Sequence, residues 1–169
     1  YLCGDATGSV NCLRAALLAQ PLPTLSLHSS NIEPTVLVSV DTAVKLGGLL
    51  CDMDVREEAG IVLQQALEAA EALQAQASSS TNSMLGASGA AAALLHIAEL
   101  SIHSLDYQEA LSSLGRAKRL TTRALIMCEQ DESVSSHDAA SITGCLESLL
   151  PNVLSLQGVT LFRRSPAEP

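Results

Sequence analysis

Aromatic residues are scarce in this sequence: its 169 residues include no Trp, one Phe and two Tyr. A hydrophobic core must therefore be filled by aliphatic side chains, and Ala and Leu dominate the 47% apolar fraction. Both are strong helix formers. The β-branched runs typical of strands are also nearly absent, apart from residues 35–40. We therefore predict an all-α domain whose helices approach each other closely.

Cationic side chains are few as well, with nine Lys and Arg against 18 Asp and Glu, for a net charge of −9. Proteins bind nucleic acid in bulk through clustered cations that displace counterions, so this class of partner is excluded. Adsorption on anionic lipid is disfavoured for the same reason. No apolar run has the length needed to cross a bilayer, so the sequence predicts no membrane span.

Paired cysteines and zinc-like spacings are absent: the five Cys stand at 3, 12, 51, 128 and 145, without a C-x-x-C. Most of them lie among apolar neighbours in helical patterns, where Cys acts as a small hydrophobe. We expect reduced thiols and an intracellular protein, with the organelle left open. Because the chain starts at Tyr1, inside what looks like a repeat, we also expect a fragment of a longer polypeptide.

Hydrophobic periodicity divides the chain into helical segments. Residues three and four apart share a helix face, and apolar stripes with this spacing recur, whereas Pro21 and Pro151 mark helix ends. A Ser-rich stretch lacks any apolar period and is predicted to be a flexible loop. We predict a single domain, 1–169, with a partial repeat at 1–20, a connector at 21–34, a hairpin at 35–77, the flexible loop at 78–89, a hairpin at 90–130, a polar break at 131–136, C-terminal helices at 137–164 and a loose tail at 165–169.

The two hairpins match each other in sequence at an interval of 51 residues. The matching residues are apolar and lie where the second helix of each hairpin would cross the first. Small side chains at such a crossing let two helices approach closely. The matching pairs are Ala59 with Ala110, Leu63 with Leu114, and Ala66 with Ala117.

This pattern resembles the tetratricopeptide repeat (TPR). The features that carry the resemblance are the Leu46-Gly47 pair, a polar turn after the first helix, the small Ala residues and Pro21 after a helix. The resemblance implies a short α-solenoid of stacked antiparallel hairpins that binds other proteins. The chain departs from the family in lacking first-helix aromatics and in its interval of 51 residues, against a usual repeat of about 34 residues. The rival prediction is an irregular α-helical bundle.

Arg116, Lys118, Arg119 and Arg123 form the densest basic cluster of the acidic chain. The three Arg lie at i, i+3 and i+7, so they share one helix face. They are candidate partner-binding residues, because guanidinium groups bind acidic segments or a terminal carboxylate through bidentate hydrogen bonds. The alternative is a solvated face that pairs with Glu109 or with neighbouring acidic helices.

One helix also carries a candidate set of metal ligands. His96, Glu99 and His103 lie at i, i+3 and i+7 and could reach a single ion. No second helix supplies an evident fourth ligand, and His96 adjoins the apolar stripe. We therefore interpret these side chains as partly buried or solvated, and we predict neither a metal nor a cofactor.

Catalytic motifs are missing from the sequence, which contains no G-x-S-x-G, P-loop, H-E-x-x-H or G-x-G-x-x-G. We therefore do not expect an enzyme. The predicted function is a non-catalytic protein-interaction scaffold within a larger assembly, with protein subunits or peptide segments, including acidic ones, as partners. The alternative is a helical-bundle enzyme or ligand-binding module with its site between helices.

Overall fold

The computed structural model describes residues 5–22, 33–77, 79–130 and 136–164, and this part of the chain is all-helical, with no strand. The predicted all-α class is therefore confirmed. Consecutive helices pack against each other along the whole described chain. The six helices of the described residues are α1 (Ala6–Ala19), α2 (Glu33–Asp52), α3 (Arg56–Gln76), α4 (Ser80–His103), α5 (Tyr107–Gln130) and α6 (Ser136–Arg164).

Polar caps fix the position of α1. The Asp5 carboxylate accepts a hydrogen bond of 2.9 Å from the backbone N–H of Gly8, which satisfies one of the free donors at a helix N-terminus. The helix ends at Ala19, with Gln20 as its C-cap just before Pro21. The buried hydroxyl of Ser39 then donates to the carbonyl oxygen of Gln20 over 3.0 Å, which fastens the end of α1 to α2.

The turns of the two hairpins have the same structure. In the α2–α3 turn the backbone N–H of Val55 donates to the carbonyl of Leu50, and in the α4–α5 turn that of Asp106 donates to Ser101. The two flanking hydrogen bonds of each turn also match, and every pair of equivalent residues is 51 positions apart. A backbone N–H that donates to the carbonyl five residues earlier closes the C-terminus of a helix when the residue just after the helix has a left-handed conformation. The 51-residue interval between the matching sequence positions is therefore also the interval between two turns with the same backbone hydrogen bonds.

Helix contacts follow a regular pattern in the described residues. Besides its neighbours in sequence, α4 contacts both α2 and α6, whereas α1, α3 and α5 do not come into backbone proximity with one another. The main core lies where α2, α3, α4 and α5 meet, and it is built from Val, Leu and many Ala side chains. Smaller clusters join α1 to α2 and α3, and α4 to α5 and α6.

Glycines and alanines allow the close crossings that the composition predicts. A Cβ at Gly86 of α4 would lie 3.0 Å from both the carbonyl oxygen of Ala70 and the backbone nitrogen of Gln74 in α3. A side chain there would require the α3 backbone to shift by a few tenths of an ångström, so a residue without a Cβ suits this close approach. Ala66 and Ala117, the matching residues of the two hairpins, are both completely buried.

The predicted flexible loop at 78–89 is wrong from Ser80 onward, because residues 80–89 form the first turns of α4, and Ser78 lies outside the described residues. The hydroxyl of Ser79 caps the helix by accepting from the backbone N–H of Asn82 over 3.2 Å. The small residues that suggested disorder lie against other helices, and Met84, Gly86 and Ala87 are buried. The second hairpin therefore starts ten residues earlier than predicted, at Ser80 rather than at 90.

The predicted helix end at Pro151 is also wrong, because α6 continues through it from Ser136 to Arg164. Proline lacks a backbone N–H and strains the preceding turn, so the carbonyl of Glu147, four residues earlier, loses its helical hydrogen bond. Two side chains bind carbonyls in that turn: the amide of Asn152 donates to Ser148 over 3.2 Å, and the hydroxyl of Ser148 donates to Cys145 over 2.7 Å. Buried Val153 and Leu146 hold the helix on both sides.

The prediction of no membrane span is wrong, because two helices meet the criteria of length and composition for crossing a membrane. Ser80–His103 and Ala140–Arg164 are long and apolar enough to cross a membrane. Their Gly, Ala, Ser and Thr residues interrupt the apolar runs without adding charge, which hid the length of these segments. Half of the first span is buried inside the fold, and the core helices of soluble proteins meet the same criterion. Only 17% of the second is buried, and it exposes Leu154, Leu161 and Phe162.

Several sequence predictions fall on residues outside the described part of the chain. These are the start of the partial repeat at 1–4, most of the connector at 23–32, the polar break at 131–135 and the tail at 165–169.

Candidate functional site

The predicted basic cluster lies along the outer part of α5, and its members differ in what they contact. Arg116 forms an ion pair with Glu71 of α3, so its guanidinium joins two helices that have no backbone contact. Lys118, Arg119 and Arg123 are exposed and take part in none of the ion pairs found among the described residues. Of the cluster, Arg116 thus follows the alternative prediction of pairing with an acidic helix, and its partner is Glu71 rather than Glu109.

The His96 side chain packs between α4 and α2. Its Nδ1 lies 2.7 Å from Oε2 of Glu99, and a Cβ at Gly48 would lie only 3.1 Å from the ring. His103 is exposed at the end of α4. The described residues contain no group of three or more His, Cys, Asp or Glu arranged to hold a metal ion.

Cys51, at the end of α2, has a shifted pKa. The pKa of the Cys51 thiol is raised to about 11, first by burial and in addition by the negative charges of Glu99 and Asp52. The thiol is therefore protonated at neutral pH, whereas nucleophilic and metal-binding cysteines act as thiolates. Cys12, Cys128 and Cys145 are also free thiols.

A groove of about 590 Å³ lies between α1 and α3, with buried Leu46 of α2 among its lining residues. The α3 wall is formed by residues at helical spacing along a single face, which extends from Glu58 to Gln76. The opposite wall consists of the end of α1 and the residues that follow it. The apolar lining residues are Leu17, Leu18, Pro21, Leu22, Leu46, Val62, Ala69 and Ala72.

Charged and amide groups lie around this apolar surface. Arg14 of α1 and Glu58 of α3 form a bidentate pair at one end, with N–O distances of 2.6 and 2.9 Å. Further along α3, the amide of Gln64 donates to the Glu68 carboxylate over 3.1 Å. Gln65 and Gln76 add neutral polar groups to the lining.

This groove was not predicted from the sequence. Val62, Ala69 and Ala72 lie seven and three residues apart, so they share one face of the same helix. That shared face was the available signal. The contribution of α1 was less accessible, because which helix lies beside α3 depends on the three-dimensional packing.

No family model, curated protein or solved structure matches the chain.

Proposed function

We propose that this chain is a TPR-like α-solenoid segment that acts as a non-catalytic scaffold for protein–protein interaction. One observation carries the proposal: the two hairpins have the same turn, with the same hydrogen bonds, 51 residues apart. Each turn also places a non-glycine residue at a φ of 62°, which is unfavourable for L-amino acids. Repetition of an unfavourable conformation supports two copies of one structural unit over two unrelated hairpins.

The contacts between helices support the same proposal. In stacked helical hairpins, each first helix packs on the first helix of the next hairpin as well as on its own partner. Here α2, α4 and α6 follow that pattern, and α3 and α5 pack on the helix that comes next in the chain. Arrays of this kind present extended surfaces and grooves, and such surfaces are used to bind proteins.

A ligand-binding module is the second candidate, because the groove between α1 and α3 has the volume of a small-molecule site. Such sites combine an apolar lining with a few convergent polar groups. The raised pKa of Cys51 weighs against a nucleophilic role for this thiol. Cys51 is also absent from the lining of the groove. The lining of the groove extends along α3 from Glu58 to Gln76, which favours the scaffold proposal.

The test uses the folded 169-residue chain, immobilised through one end, to capture proteins from extracts of the cells that express it. Each captured protein is then produced alone and titrated against the chain by calorimetry. We expect at least one of them to bind saturably with a whole-number stoichiometry. Gly86→Val serves as the control, since its side chain would collide with the α3 backbone and disrupt the hairpin packing. Equal binding to this variant, or no saturable binding to the normal chain, would contradict the scaffold function.

A further inference from the structure

We propose that the groove between α1 and α3 binds an amphipathic α-helix of a partner protein, with basic side chains beside its apolar face. This inference rests on the proposed scaffold function and adds the kind of partner that one surface of the scaffold accepts. The basic cluster on α5 plays no part in it.

The length of the groove fits a helical ligand. Its α3 wall spans the 18 positions between Glu58 and Gln76, which corresponds to roughly 27 Å of helix at 1.5 Å per residue. Helix α3 has no backbone contact with α1, so the space lies open between α3 and the wall formed by the end of α1 and the residues after it. A helix of about 18 residues would extend along the whole α3 wall.

The lining provides sites for the apolar side chains of such a helix. Helices bound in grooves insert residues at i, i+3, i+4 and i+7 into an apolar surface. Leu18 is 85% exposed although it lies against this groove, so a large apolar side chain is held in solvent at its edge. Ala69 and Ala72 make the opposite wall shallow, and their small side chains leave space for Leu-sized residues of the ligand.

Charge selects a basic helix over a neutral or acidic one. Helix α3 carries four Glu and one Arg, and Arg56 is paired with Asp54, outside the groove. Of the two Glu in the lining, Glu58 is paired with Arg14, whereas Glu68 receives a hydrogen bond from the neutral amide of Gln64. A Lys or Arg beside the apolar face of a bound helix would therefore find a carboxylate at Glu68. The net charge of −9 would also steer cationic ligands toward the chain.

The probe is a synthetic, N-acetylated, fluorescein-labelled peptide of about 18 residues, with Leu on one helical face, Lys on both sides of that face and Gln elsewhere. A second peptide has Glu in place of every Lys. Fluorescence anisotropy is used to measure the Kd of each peptide for the whole chain at two salt concentrations. We expect the Lys peptide to bind at least about tenfold more tightly than the Glu peptide, and salt to reduce this difference.

Two pairs of variants locate the binding surface. Leu18→Gln should weaken the affinity for the Lys peptide by about tenfold. Ile61→Gln should leave this affinity unchanged, since Ile61 is an exposed apolar residue of α3 outside the groove. Glu68→Gln should weaken the affinity for the Lys peptide by about threefold and leave the affinity for the Glu peptide unchanged. Glu57→Gln removes a charge from the same helix outside the lining and should have a smaller effect. Circular dichroism and thermal melts confirm that each variant is folded.

Several results would overturn this proposal. Equal affinity for both peptides, or equal effects of Leu18→Gln and Ile61→Gln, would show that the groove does not select a basic helix. Self-association of the chain that Leu18→Gln abolishes would assign the groove to a second copy. Flotation with phosphatidylcholine vesicles that depends on Leu18 would assign it to lipid. If a natural partner is captured but binds groove variants normally, this inference fails and the scaffold function stands; if no partner is captured, the scaffold function fails whatever the peptide does.

Discussion

Asp54 and Leu105 have the same left-handed backbone conformation, each with a φ of 62°, at equivalent positions of two turns 51 residues apart. Asp tolerates this conformation better than Leu, because its short polar side chain can form local hydrogen bonds. Asp54 also pairs with Arg56 over 2.6 Å, whereas Leu105 is exposed. The backbone strain is therefore unequal at two equivalent positions.

Replacing Leu105 by Gly should stabilise the protein by about 1 kcal/mol, because Gly adopts a positive φ without a steric cost and little apolar burial is lost. Asp54→Gly is the matched variant. It should stabilise less or destabilise, since it starts from a residue that tolerates the conformation and it removes an ion pair. Urea denaturation measures both free energies of unfolding. A loss of stability in Leu105→Gly would show that the turn needs its leucine.

Two helical glycines should respond in opposite directions to the same substitution. Gly86→Ala should lower the free energy of unfolding by about 1–3 kcal/mol, because its Cβ would meet the backbone of α3. Gly60→Ala should raise it by about 0.5–1 kcal/mol, because nothing lies within 4 Å and Ala is the better helix former. Thermal and urea unfolding of both variants provide the comparison. The packing of α3 on α4 would be misplaced if both variants changed in the same direction.

Enlarging the buried alanines of the two hairpins should destabilise each of them. Ala66→Leu and Ala117→Leu add a branched side chain where no space is exposed, and such overpacking costs about 1–3 kcal/mol. Ala15→Leu, at an exposed position of α1, is the control and should change stability by less than about 0.5 kcal/mol. Calorimetric melting temperatures provide the measurement, and unchanged values for both buried sites would remove the physical basis of the repeat alignment.

The members of the basic cluster should contribute unequally to stability. Arg116→Gln should cost up to about 1 kcal/mol, because it breaks a partly exposed ion pair between α5 and α3. Arg119→Gln and Arg123→Gln should each change stability by less than about 0.5 kcal/mol, since both side chains are exposed. A double-mutant cycle of Arg116 with Glu71 isolates the pairwise energy. A coupling near zero would show that this pair is only a solvated contact.

Alkylation should distinguish Cys51 from the exposed thiols. Because its pKa is raised to about 11, the reactive thiolate of Cys51 becomes abundant only when the pH rises toward that value. Iodoacetamide at pH 8 should therefore modify exposed Cys12 and Cys145 first and Cys51 much later. Mass spectrometry of time points measures the order, with denatured protein as the control in which the difference disappears. Early modification of Cys51 in the folded chain would contradict the burial of this thiol.

The sequence predicts the helices and their interval better than it predicts their ends. Ala59 and Ala110 were matched correctly, because small residues at buried crossings recur with a period set by the geometry of the hairpin. Ser-rich residues 80–89 were misread, since their composition is typical of loops and their burial depends on α3 lying close enough to contact them. A local sequence pattern cannot show that contacts with a neighbouring helix will offset the conformational entropy lost when a polar stretch becomes ordered.

The groove could not be predicted from the sequence for a related reason, because several helices contribute to its lining. The spacing of Val62, Ala69 and Ala72 was visible along one helix, but Leu18 contributes from a helix more than forty residues away in the chain. Likewise, the pairing of Arg116 with Glu71 bridges 45 positions and depends on how α3 and α5 pack on α4. Periodicity shows which face of a helix is apolar, and only tertiary packing shows what that face meets.

We expect the two parts of α6 on either side of Pro151 to open separately. Hydrogen bonds along an uninterrupted helix support one another, but Pro151 donates none, and side chains bind carbonyls in the turn before it. The part after Pro151 is held chiefly by Val153 and Thr160, whereas the part before it is joined to α4 and α5 through Ile142 and Leu146. The amide hydrogens of residues 155–164 should therefore exchange with solvent as a group of their own, through a local opening that leaves the core of the domain folded.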